Sequence, residues 1–117
     1  MGLDLRHRRL FVGCASGKFV VFDIDSGKSV ACLDIAEGCD GIYYDTKRGL
    51  IYVSCGAGVI EVIRQQDADR YVSAARIATA KDASTSLFVP ELDTLFLAVP
   101  QKDGQLAEIR FYRAAAL

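Results

Sequence analysis

Histidine is nearly missing from this chain of 117 residues, and so is any excess of charge: one histidine, 14 lysines and arginines, 15 aspartates and glutamates, net −1. A balance that close to zero gives no electrostatic footprint for nucleic acid or for an anionic membrane surface, so neither is expected as a partner. No apolar run approaches the ~20 residues that span a bilayer. The N-terminus also lacks the charged-then-apolar pattern of a secretory signal. As written, the chain is expected in the cytoplasm, where it is made. His7 with no Gly-x-Ser-x-Gly elbow leaves no place for a Ser-His-Asp hydrolase. Cys14, Cys32, Cys39 and Cys55 have no Cys-x-x-Cys spacing and no second histidine to help them, which argues against zinc. They read as reduced structural thiols, with a single bridge as the alternative. No metal or cofactor is expected.

Other candidate motifs dissolve on inspection. Gly27-Lys28-Ser29 is similar to the end of a phosphate-binding loop, but the glycine required five residues earlier is Phe22, and a strand-like run follows where a helix is needed. Asp23 with Asp25, and Asp67 with Asp69, sit in polar loops, where capping of turns explains them better than acid–base work. Arg6-His7-Arg8-Arg9 is the one dense basic cluster, and it falls where a solvated hairpin turn belongs.

What the chain does have is repetition. A shift of 41 residues lays Asp4, Leu10-Phe11-Val12, Cys14, Gly17 and Val21 on Asp45, Ile51-Tyr52-Val53, Cys55, Gly58 and Val62. A further shift of 45 lays Ile42-Tyr43 and Leu50-Ile51 on Leu87-Phe88 and Leu95-Phe96. Short apolar runs with a period near 40 residues are the signature of β-propeller blades, one four-stranded antiparallel sheet per repeat. The expected fold is therefore all-β: a partial propeller of about 2.75 blades, over residues 1–38, 39–80 and 81–117. Mostly apolar runs suit strands covered on both faces, as stacked blades require.

The second copy is the clearest. Gly41 to Tyr44, Leu50 to Cys55 and Val59 to Arg64 are strand-like, separated by Asp45-Thr46-Lys47-Arg48-Gly49 and Gly56-Ala57-Gly58. Residues 65–83 fit a helix by composition, yet register with the first copy predicts a strand from Tyr71 to Ile77. The third copy offers Ser86 to Val89, Thr94 to Val99 and Ala107 to Tyr112, then runs out before a fourth strand.

Tyr52-Val53-Ser54-Cys55, and more loosely Phe11-Val12-Gly13-Cys14, resemble the Tyr-Val-Thr-Asn strand of the YVTN-type β-propeller repeats of surface-layer-like and periplasmic proteins. Asp23-Ile24-Asp25-Ser26-Gly27-Lys28 is similar to that family's strand-ending aspartate and Asp-x-x-Thr-Gly-Lys turn. The resemblance covers Leu3 to Arg113 and implies the C-terminal part of such a protein, whose relatives commonly have seven blades and are often periplasmic or at the cell surface. These motifs are structural, and they imply a fold more than an activity.

In a propeller the loops leading into the innermost strands open on the central channel. Here they are Cys39-Asp40-Gly41 and Ser84-Thr85-Ser86, which makes Cys39, Asp40, Ser84 and Thr85 the candidate ligand-binding residues. The alternative is that they satisfy backbone groups in tight turns. A non-catalytic module that binds a protein or small ligand is favoured over an enzyme of lactonase or quinoprotein type, because the two loops supply only one carboxylate. Three blades leave an apolar face open at each end, so either the chain is a piece of a longer protein or copies of it complete a ring; for the second, a homodimer of six blades is expected.

Overall fold

A computed structural model describes residues 1–116 and contains no α-helix among them. The polar turn clusters cut the apolar runs into strands of three to eight residues. The first four are β1 (Gly2–Asp4), β2 (Arg9–Cys14), β3 (Lys18–Asp23) and β4 (Ser29–Asp34). The next four are β5 (Cys39–Asp45), β6 (Leu50–Cys55), β7 (Val59–Gln65) and β8 (Tyr71–Ala78); the last three are β9 (Ser86–Val89), β10 (Thr94–Val99) and β11 (Glu108–Arg113). They form three antiparallel up-and-down sheets, β1 to β4, β5 to β8 and β9 to β11. The segment with helical composition is strand β8: its apolar side chains pack on neighbouring strands, and that packing overrides local propensity.

The sheets stack face to face. Phe11, Phe19 and Val21 of the first sheet meet Ile42, Ile51, Val53 and Ile63 of the second. The second turns its other face, with Leu50, Tyr52, Ile60 and Val62, to Phe88, Leu95, Leu97 and Val99 of the third. Every residue of β6 is therefore buried. Each large side chain in these layers contributes on the order of 2 kcal/mol. The first strands of the sheets, β1, β5 and β9, are neighbours along one side of the stack, and β4 lies beside β8 on the other.

The hairpin leaving each of these first strands ends in a residue with left-handed backbone: Arg8 (φ 56°), Gly49 (φ 65°) and Asp93 (φ 50°). Buried carboxylates hold the first two turns. Asp4 accepts from the His7 N–H (3.2 Å), His7 Nδ1 (2.7 Å) and Gln65 Nε2 (2.8 Å). Asp45 accepts from the Arg48 N–H (3.3 Å), Arg48 Nη1 (3.1 Å) and the Tyr52 hydroxyl (2.6 Å). Because Gln65 belongs to the second sheet and Arg48 also reaches Asp93 (3.0 Å), these caps tie neighbouring sheets together. The basic cluster is likewise spent on structure: Arg8 forks onto Asp25, and Arg9 crosses to Asp69 at 2.7 Å.

The expected repeat register needs correction. The third copy is aligned with the second by 44 residues, not 45, because Asp45 opposite Leu50 corresponds to Val89 opposite Thr94. Thus Leu95-Phe96-Leu97, and not Phe96-Leu97-Ala98, matches Ile51-Tyr52-Val53. A slip of one residue exchanges the two faces of a strand, and both faces here are apolar, so the hydrophobic pattern could not expose it. Cys14, which the 41-residue repeat aligns with Cys55, is half-buried where Cys55 is fully buried: it shares the uncovered face of the first sheet with Leu10 and Val12.

Candidate functional site

Cys39-Asp40-Gly41, expected as a loop, is instead the irregular start of strand β5, and it lies beside the loop before β9 at the end of the stack away from the capped hairpins. With the corrected spacing Asp40 corresponds to Ser84, and the Ser84 hydroxyl reaches Asp40 Oδ2 at 3.4 Å, the outer limit of a hydrogen bond. Asp40 and Thr85 are exposed and Ser84 is half-buried. The Thr85 carbonyl is committed to the Ala98 N–H (2.9 Å), leaving its side chain at the surface.

Beneath them runs a hydroxyl chain that the four candidate residues only partly include. Buried Ser54 bonds both the Ser84 carbonyl (2.7 Å) and the Ser86 hydroxyl (2.7 Å). The Tyr43 hydroxyl donates to the Ser86 carbonyl. Gly41 makes this close meeting possible: a Cβ there would come within 2.5 Å of Ser86 Oγ and 2.9 Å of Ser54 Oγ. Ser54 occupies the threonine position of the Tyr-Val-Thr-Asn-like segment and Ser86 ends the second loop, so both were visible in the sequence, but only as structural residues.

Cys39 does not join the group. Its side chain turns into the contact between the first two sheets, over Gly13, where an added Cβ would lie only 2.1 Å from Cys39 Sγ. It stands opposite Cys55 in the β5–β6 register. Burial pushes the Cys39 thiol up, and it pushes the fully buried Cys55 thiol up to about 12. Both therefore stay protonated at neutral pH, without thiolate character. All four cysteines are free.

The structure thus brings Asp40 and Ser84 together, leaves Thr85 on the outer face of the third sheet with Leu87, Phe96 and Ile109, and turns Cys39 inward. One carboxylate and one hydroxyl, Asp40 and Ser84, can accept and donate hydrogen bonds to a polar ligand. Among the described residues no group of three histidine, cysteine, aspartate or glutamate side chains is placed to hold a metal ion. No helix among them is long and apolar enough to cross a membrane. Compared with known proteins, the chain matches no family model and no curated sequence.

Proposed function

We propose that this chain is a run of β-propeller blades, related to the YVTN-type repeats, that binds a protein or small ligand without catalysing a reaction. Two copies close it into a six-sheet ring. The support is geometric. Three up-and-down sheets stack with their first strands adjacent, and the stack ends in apolar faces on both sides. Leu87, Ile109 and Phe111 are 57%, 59% and 71% exposed at one end, and Leu3 is 46% exposed at the other. Monomers seldom leave such patches wet. In a ring, Asp40 at the start of β5 and Ser84 before β9 face the central axis, where the second copy brings the same residues. The site is then shared between subunits, and rigid sheets hold variable loops around it.

Small-angle X-ray scattering tests the closure. The isolated arc has a Cα radius of gyration of 14.0 Å. A compact particle of two chains is expected at about 17 Å. A folded protein that scatters like the arc alone overturns the ring.

A further inference from the structure

The three sheets present corresponding faces. Residues of the second sheet that face the third (Tyr43, Tyr52, Val62) correspond by strand register to Leu87, Phe96 and Phe111 on the outer face of the third. Residues of the second sheet that face the first (Tyr44, Ile51, Ile63) correspond to Leu3, Leu10 and Phe22 on the outer face of the first. One open end is therefore a forward-facing surface and the other a backward-facing surface. The chain already joins such surfaces twice.

Both internal joints use the same aromatic contact. Phe11 on β2 packs against Tyr44 on β5, with ring centroids 5.4 Å apart and planes at 54°. One repeat later, Tyr52 on β6 packs against Phe88 on β9, at 5.1 Å and 57°. Phe96 holds the position of Phe11 and Tyr52, and Leu3 that of Tyr44 and Phe88. Phe96 meets the Phe111 ring of its own sheet, 5.8 Å away.

We infer that two copies of this chain associate head to tail, with Phe96 of each packed on Leu3 of the other, so that the joint between copies repeats the joint within them. This rests on the ring proposed above and adds which face meets which. A twofold axis makes the two joints identical and closes the ring after six sheets. Strand spacing and rise make each face on the order of 400 Å². Two such faces per copy reach the roughly 800 Å² per partner of a stable interface. A contact of like faces would instead set Phe96 near Phe96, an arrangement that neither internal joint uses.

Charge complementation separates the possibilities. Leu3 is exposed and Phe96 half-buried, both on outer faces of the stack, so Leu3→Lys and Phe96→Glu should each fold, as circular dichroism will verify. Each alone spoils both joints of a head-to-tail ring, and at micromolar concentration each should sediment as a monomer. The double variant sets lysine against glutamate at both joints and should associate at least tenfold more tightly than either single variant. In a like-face dimer the double variant sets like charges together. Association of the double variant no tighter than that of the singles, or singles that remain dimeric, overturns the head-to-tail contact while leaving self-association intact. A monomeric wild-type protein overturns the ring itself.

Discussion

Glu61 and Asp40 show how differently two carboxylates of one chain can matter. Glu61 is 2% exposed and accepts from the Ala36 N–H (2.7 Å), Arg76 Nε (3.1 Å) and Arg76 Nη2 (2.8 Å), joining the first two sheets. Arg76 is largely exposed, so its guanidinium can turn to water when the partner is removed. The loss is then chiefly an orphaned backbone N–H and a small void, and Glu61→Ala should cost about 2 kcal/mol. Asp40→Ala, at an exposed position whose one side-chain bond is long, should stay within about 0.5 kcal/mol of wild type. Urea titration of both variants decides: a large loss for Asp40→Ala would make that residue part of the scaffold. Asp4 adds a pH dependence. Burial pushes its carboxyl up, but hydrogen bonds from Gln65 and His7 outweigh this and hold it below the ordinary 3.8. A depressed folded pKa gives stability that is present above the unfolded value and is lost as pH falls through the folded one. The stability gap between wild type and Asp4→Asn should be constant above about pH 5 and close below pH 4. A gap that persists at pH 2 would show that the carboxylate's charge is not what matters.

Among the elements, β6 and β11 are opposites. β6 is paired on both edges and covered on both faces, whereas β11 pairs only with β10 and carries Ile109 and Phe111 exposed. Amide hydrogen exchange should be slowest in β6 and β7 and fastest in β1 and β11. Uniform protection across the three sheets would contradict the layered packing. A related vacancy lies between the second and third sheets. In the first joint β4 packs beside β8, but among the described residues the third sheet has three strands, and an apolar cavity of about 110 Å³ lies by Ala75, Ile77 and Tyr112. The strands themselves were legible from their turns: β9 and β10 match the sequence reading residue for residue, and β8 emerged from repeat register despite its helical composition. Register between copies was harder to read. The β7–β8 connection is longer than the β3–β4 one, so β4 and β8 are 44 residues apart where the earlier strands are 41 apart. The residue that marks the third turn is Asp93 rather than a glycine, so the left-handed position was hidden. The candidate site was half legible. Polar residues announced Asp40 and Ser84, but strand alternation puts Thr85 on the outer face of the third sheet, and only the irregular β5 pairing between Cys39 and Gly41, unmarked in the sequence, decides that Cys39 turns inward.

At the scale of the whole molecule, the arc of three sheets measures 48 × 31 × 20 Å and has two unlike apolar ends. The two internal joints bury their aromatic pairs, and inter-sheet hydrogen bonds tie the hairpins. The two end faces leave apolar side chains open in complementary ways. Water exclusion at about 25 cal/mol per Å² favours covering them. The most direct measurement is therefore the mass of the purified chain by sedimentation equilibrium at micromolar concentration. The account predicts about twice the 12.7 kDa of one chain, falling toward one chain on dilution. A folded protein that holds a single-chain mass at every concentration would contradict it.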